Sequence, residues 1–180
     1  MNAAIEIVPV RSLFTEALRE SFDDLDIHDK GATGYLADLL VRFAAITEML
    51  PEGVTGERLQ SIAERMAEIQ RSWAIDAGQF DPAREFGIRR ALADYTLFMS
   101  GFFWEWVKAR SVTRHYVREG KRAYRFVAEY HRAQGHAEAV LYQTLAARFE
   151  TYAAVVSYMR DVHLGAEFAP WPHPVFARIV

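Results

Sequence analysis

The pattern of apolar and polar positions along the chain predicts six helices joined by short connections. Apolar residues recur at helical spacing over about 12–22, 33–50, 57–78, 82–109, 112–133 and 137–164. Asp81 followed by Pro82 is a start signal for the fourth helix, and Gly165 is a stop signal for the last. Since no strand-period segment competes with this pattern, the sequence predicts an all-α, single-domain bundle over residues 1–180.

The fourth helix, over about 82–109, is expected at the centre of the bundle. Between Ala91 and Val107 it reads ALADYTLFMSGFFWEWV, which is apolar almost all the way round a helix. Such a helix is either buried in a protein or spans a membrane. Because Asp94, Ser100 and Glu105 interrupt the stretch and charged residues flank it, we expect a buried central helix and no membrane span.

Both ends of the chain are expected to lie outside these helices. Residues 1–11 form an N-terminal extension that lacks the basic and apolar regions of a signal peptide. Residues 165–180 form an extended, Pro-rich tail, because Pro170, Pro172 and Pro174 exclude a helix there. The tail is rich in apolar side chains, which predicts that it packs on the bundle or on a second copy of the chain.

Composition narrows the classes of function. The chain has no cysteine, which excludes thiol catalysis, thiolate metal sites and disulfides and favours a cytoplasmic location. Its net charge of -3 argues against a nucleic-acid partner. No histidine has an acidic residue three positions before it, so the Glu-x-x-His pairs of di-metal bundles are missing. We expect no metal and no cofactor, with a single-metal site of dispersed ligands as the minor alternative. Neither a nucleophile elbow nor a phosphate-binding loop is present, so no catalytic residue is assigned.

Asp94 is the strongest candidate for chemistry, because it projects from the central helix among aromatic residues. A buried carboxylate needs a partner, and the candidate partners are Arg42, Arg90, Tyr95 and Tyr124. Two interpretations stay open. Asp94 orients a ligand or acts as an acid–base carboxylate with a pKa displaced by burial, or it is structural and clamps two helices or lies at a helix edge. The ligand interpretation predicts an apolar pocket between helices, and the polar residues lining it would be Asp94, Ser100, Tyr116 and Tyr124.

A basic segment lies in the fifth helix. The cations that fall broadly on one face are Arg114, Arg118, Lys121, Arg122 and Arg125. This face predicts either an anion-binding surface or a solvated surface whose charges pair with Glu119, Glu129 and neighbouring helices. RNA is the least favoured partner, because the chain as a whole is negatively charged.

The fourth helix also carries more aromatic bulk than one helix face normally buries. Trp104 and Trp106 are two positions apart, so they point to different faces, and one of them is expected to meet the tail, a partner chain or an apolar ligand. Exposed contiguous aromatics usually mark an interface. The candidate residues of a homodimer interface are Trp104, Trp106, Phe168, Trp171 and Phe176.

The segment LADYTLFMSGFFWEWVKARSVTRHYVREGKRAYRFVA resembles a recurrent block of an uncharacterised family of bacterial all-α proteins. That block reads approximately L-G-D-x-x-L-F-x-S-G-F-F-P-E, then Y-Y, then G-x-x-A-Y-x-x-L-A. The matching positions are Leu92, Asp94, Leu97, Phe98, Ser100, Gly101, Phe102, Phe103, Glu105, Tyr116, Gly120, Ala123, Tyr124 and Ala128. The upstream stretch YLADLLVRFA, residues 35–44, is similar to a second block. Ala93, Trp104 and His115 depart from the pattern. The resemblance implies a helical fold and an intracellular bacterial origin, and it implies no activity.

Together these observations favour a non-enzymatic bacterial helical protein that acts by binding, as a homodimer. Its expected partners are a second copy of itself, another protein or an apolar small molecule. The alternative is a small-ligand-binding protein or enzyme with the interhelical pocket at Asp94. Nucleic-acid binding through residues 114–125 ranks last.

Overall fold

The computed structural model describes residues 3–48 and 82–164 of the chain. The helices are α1 (Ala3–Asp24), α2 (Lys30–Glu48), α3 (Pro82–Phe102), α4 (Trp104–Ala109), α5 (Thr113–Ala133), α6 (Ala139–Ala147) and α7 (Phe149–Tyr158). A π-helical turn, Met159–His163, follows α7. The residues in these two ranges contain no strand, and the all-α prediction is confirmed. The predicted helix over 57–78 and the tail over 165–180 lie outside them.

Three boundaries differ from the sequence prediction. Helix α1 begins at Ala3 rather than near Ser12, so most of the predicted extension over 1–11 is helical. The predicted fourth helix is interrupted at Phe103, and the predicted sixth helix is interrupted at Arg148. At both interruptions the backbone leaves the α region, with φ -123°, ψ 39° at Phe103 and φ -110°, ψ 27° at Arg148. Neither position carries glycine or proline, so apolar periodicity alone did not reveal the breaks.

Helix α3 is the central element, as its apolar sequence predicts. Every residue from Leu92 to Met99 is buried, and the helix packs chiefly against α5 and α7. Two glycines allow the helices to pack closely against each other. A Cβ on Gly101 of α3 would lie 2.7 Å from the Cβ of Val156 on α7, and a Cβ on Gly120 of α5 would clash with the ring of Phe149. Any larger side chain at either position would push the helices apart.

Polar contacts fix the outer helices around this centre. Asp29 precedes α2, and its Oδ1 accepts a 2.9 Å hydrogen bond from the backbone N–H of Ala32, which caps the helix. Its Oδ2 accepts a 2.6 Å bond from the hydroxyl of Tyr152 on α7. One aspartate therefore both starts α2 and ties it to α7. None of the helices in the described residues is long and apolar enough to cross a membrane.

Candidate functional site

Asp94 lies in a buried polar cluster that joins α2, α3 and α5. Its side chain is 8% exposed. Oδ1 accepts hydrogen bonds from the hydroxyl of Tyr35 on α2 and, at 2.9 Å, from that of Tyr124 on α5. Oδ2 accepts a 3.0 Å bond from Nη2 of Arg42 and lies 3.9 Å from Nε of Arg90. Both carboxylate oxygens are therefore occupied by side chains of the protein itself.

Burial dominates the electrostatics of this cluster. It raises the pKa of Asp94, although the hydrogen bond from Tyr35 and the charge of Arg42 act in the opposite direction. Burial and the neighbouring carboxylate raise the pKa of Tyr35 and of Tyr124, so both phenols stay neutral. Each hydroxyl donates a hydrogen bond to Asp94. Because both oxygens of Asp94 accept hydrogen bonds from side chains of α2 and α5, the arrangement holds these helices to α3.

The structure settles which residues partner Asp94. Arg42, Arg90 and Tyr124 contact it as predicted. Tyr95 was the wrong candidate, because its ring packs against those of Phe43 and Tyr116, with centroids 6.4 and 6.1 Å away.

Tyr35 is the partner that the sequence reasoning missed. It stands seven positions before Arg42 on α2. Residues spaced by seven share a helix face, and the guanidinium of Arg42 lies 5.9 Å from the centroid of the Tyr35 ring. The spacing of a tyrosine and an arginine on one face of α2 was the available signal.

The other two predicted ligand-binding residues do not bond to Asp94. Ser100 stands six residues after Asp94 on α3, about 9 Å along the axis, and Tyr116 stands eight before Tyr124 on α5, about 12 Å away. The Ser100 Oγ is buried and has no hydrogen-bond partner within the described part of the chain. The Tyr116 ring packs against Tyr95. Of the four residues proposed to line one pocket, only Asp94 and Tyr124 are in contact.

A groove of about 420 Å³ runs along the outer face of α5. It is lined by Thr113, Arg114, Val117, Arg118, Lys121, Arg125 and Glu150. Four of the five predicted anion-binding cations are therefore in the groove. Arg122, the fifth, is exposed on the same helix but is not part of the lining.

Two of the groove cations already have acidic neighbours. Nε of Arg118 lies 3.2 Å from Glu119, and Nζ of Lys121 lies 2.6 Å from Oε2 of Glu150. Burial alone would raise the pKa of Glu150, but the hydrogen bond from Lys121 outweighs it and the pKa is lowered. Arg114 and Arg125 form no ion pair with any residue that the structure describes. The groove therefore contains two cations that are paired with a carboxylate and two that have no such pair among the described residues.

The two tryptophans of α4 point to different environments, as their spacing predicts. Trp104 is 37% exposed, and Nζ of Lys108 lies 5.6 Å from its ring centroid. Trp106 is only 4% exposed, with the guanidinium of Arg110 4.2 Å from its ring centroid. Trp106 is thus part of the core of its own chain, and its prediction as an interface residue is wrong. Trp104 is accessible. The other interface candidates, Phe168, Trp171 and Phe176, lie outside the described residues.

One cluster with metal-ligand chemistry also exists, although the sequence search predicted no metal. His131, His136 and Glu138 each place one donor atom within 4.8 Å of the others. The search tested only the Glu-x-x-His spacing within a helix. This cluster spans the turn between α5 and α6, where Gly135 was the available sequence signal.

Comparison of the chain with protein-family models, with curated proteins and with solved structures found no match in any of the three. The resemblance to a bacterial helical family therefore stays a prediction.

Proposed function

We propose that this chain is a non-enzymatic helical binding protein whose groove on α5 holds an acidic segment of a partner protein. The observation that carries the proposal is the basic lining of the groove, with Arg114 and Arg125 at its ends and Arg118 and Lys121 between them. Cations gathered in a concave surface attract anionic groups more strongly than the same charges scattered over a convex one.

The length of the groove favours an extended segment over a single small anion. Arg114 and Arg125 are eleven positions apart on α5, which corresponds to about 16 Å along the helix axis. An extended peptide advances about 3.3–3.6 Å per residue, so roughly five residues would span this distance. The overall charge of -3 opposes long nucleic acids, which would meet repulsion beyond the groove.

The proposal is tested with a fluorescein-labelled octaglutamate peptide and fluorescence anisotropy. Arg125→Glu places a negative charge in the groove, and Arg122→Glu places the same charge on the same helix outside it. An exposed ion pair contributes up to about 1 kcal/mol, so reversing the charge should weaken binding about tenfold or more. We expect this loss for Arg125→Glu and a much smaller change for Arg122→Glu. Equal losses, or no binding by the wild type, would contradict the proposal.

A homodimer is the second proposal, supported by the exposed indole of Trp104. Trp104 lies on the short helix α4, beside the cation of Lys108. Indole rings are enriched at protein interfaces because they bury a large apolar area. Native mass spectrometry should show a dimer that Trp104→Ala weakens. Val140→Ala, which trims an apolar side chain that is 70% exposed on α6, is the matched control and should leave the dimer intact.

The small-ligand alternative has less support, because both oxygens of Asp94 are occupied by protein donors. A bacterial origin is supported by the sequence resemblance, and a cytoplasmic location by the absence of cysteine.

A further inference from the structure

The end of α5 is closed by a glycine turn that brings two imidazoles together. Gly135 has φ +72°. Its N–H donates to the carbonyl of Arg132 at 3.0 Å, and the N–H of His136 donates to the carbonyl of His131 at 2.9 Å. This pair of bonds is a Schellman motif, in which the side chains at the two ends of the longer bond meet, usually as an apolar contact. Here both positions are histidine.

The turn sets the two imidazole nitrogens at a defined separation. Nδ1 of His131 lies 3.2 Å from Nδ1 of His136. Two nitrogens bound to one tetrahedral Zn²⁺ at about 2.0–2.1 Å would be about 3.3 Å apart. The observed distance therefore matches the separation of two nitrogens that share one ion.

The surroundings of His131 determine which of its ring nitrogens can bind an ion. Its ring is stacked on Tyr142, with centroids 5.1 Å apart and planes 8° from parallel, and meets Phe86 edge-on. Nε2 is buried and has no hydrogen-bond partner among the residues that the structure describes. Since Nε2 is enclosed, Nδ1 is the nitrogen that an ion from solvent can reach.

We propose that His131, His136 and Glu138 form a surface site for a divalent transition metal, with Zn²⁺ as the best-fitting ion. Two imidazole nitrogens and one carboxylate are a donor set that Zn²⁺ takes, whereas Ca²⁺ and Mg²⁺ prefer oxygen ligands. His136 and Glu138 are exposed. A fourth coordination position therefore faces solvent, and the carboxylate can turn towards the ion without repacking the core.

The test is isothermal titration of Zn²⁺ into tag-free, full-length protein. His136→Gln and Glu138→Gln remove exposed ligands, and His28→Gln removes an exposed histidine that is outside the cluster. Loss of a group that only supports a ligand costs about 10–100-fold in metal affinity, so loss of a ligand should cost about 100-fold or more. We expect one Zn²⁺ per chain at this site, lost in His136→Gln, weakened in Glu138→Gln and unchanged in His28→Gln.

Thermal unfolding gives a second readout that does not depend on the heat of binding. A metal that binds only the folded state raises the melting temperature. Zn²⁺ should raise it in the wild type and in His28→Gln, and not in His136→Gln. Wild-type affinity no higher than that of His136→Gln, or an equal loss in His28→Gln, would overturn the proposal.

Discussion

The hydroxyl of Tyr124 donates a 2.9 Å hydrogen bond to Oδ1 of Asp94, and this contact joins α5 to the central helix α3. Tyr124 is fully buried, and the same carboxylate oxygen also accepts a bond from Tyr35 of α2. A single acidic side chain thus connects three helices. Because an unpaired buried carboxylate is costly, the three helices have to assemble together for Asp94 to be satisfied.

Replacing Asp94 by Asn should destabilise the fold. The amide keeps the shape but removes the charge that Arg42 and Arg90 face, and its NH₂ group cannot accept a hydrogen bond. Breaking a hydrogen-bonded buried charge of this kind should cost about 2–3 kcal/mol, discounted for the partial exposure of both arginines. Thermal unfolding measures this loss.

Asp38→Asn is the matched control for that experiment, because Asp38 pairs with Arg11 at the surface, where its side chain is 48% exposed. It should change stability by less than about 1 kcal/mol. Retention of full stability in Asp94→Asn, together with loss of a bound small molecule, would instead favour the ligand interpretation of Asp94.

Tyr124→Phe should lower the free energy of unfolding more in the wild type than in a protein that already carries Asp94→Asn. Removing one hydrogen bond to a charged group typically costs about 1.5–3 kcal/mol. In the Asp94→Asn background the same substitution should cost clearly less, because the contact has already been weakened. A double-mutant cycle of denaturant unfolding measures this coupling. Additive effects of the two substitutions would show that the contact contributes no specific energy.

The ion pair between Glu105 and Arg160 should make stability depend on acid pH. Nη1 of Arg160 donates to the carbonyl of Phe102 at 2.5 Å and to Oε2 of Glu105 at 2.8 Å. Burial alone would raise the pKa of Glu105, but the hydrogen bonds from Arg160 outweigh it and the pKa lies below its ordinary value of 4.5.

The pKa of Glu105 is lower in the folded state than in the unfolded state, so the ionised carboxylate stabilises the fold. This contribution to stability is present above pH 4.5 and is lost as the pH falls through the pKa of the folded state. Glu105→Gln should therefore be less stable than the wild type at neutral pH, and the gap should narrow towards pH 3. Melting temperatures at both pH values test this. A difference in melting temperature that is the same at both pH values would mean that the ion pair of Glu105 and Arg160 does not make stability depend on pH.

Gly120→Ala should destabilise the bundle, because the added Cβ would meet the ring of Phe149 and lie 2.5 Å from Oγ1 of Thr96. Overpacking of this kind costs about 1–3 kcal/mol. Gly34→Ala on α2 is the control, since a Cβ there has nothing within 4 Å, and alanine favours a helix by up to about 1 kcal/mol. Chemical denaturation should show opposite signs for the two variants. Equal effects would mean that the helices separate without cost.

The sequence predicted the helices well where one apolar face repeats over many turns, as in α2 and α5. It did not reveal the breaks at Phe103 and Arg148, because neither position carries the glycine or proline that marks a break in the sequence. Asp94 was recognised since a charge in an apolar helix stands out. Tyr35 was missed although it shares a face of α2 with Arg42, because no pattern within one helix shows which side chains of another helix reach Asp94.

The candidate metal ligands were missed for a different reason. His131 and His136 lie on either side of a turn, and only the backbone geometry at Gly135 brings their nitrogens together. The groove was foreseen as a basic face of one helix. Its boundary, which leaves Arg122 out and includes Glu150 of α7, was not predicted. Periodicity identifies faces of single helices, whereas sites between elements need the packed structure.

The central claim is that the groove on α5 is the binding face, and mapping a bound acidic peptide on the protein tests it most directly. ¹⁵N-labelled protein titrated with octaglutamate should show amide shifts concentrated at groove residues such as Val117, Lys121 and Glu150, with little change on α4 at Trp104. Shifts centred on Trp104, or spread evenly over the surface, would contradict the account.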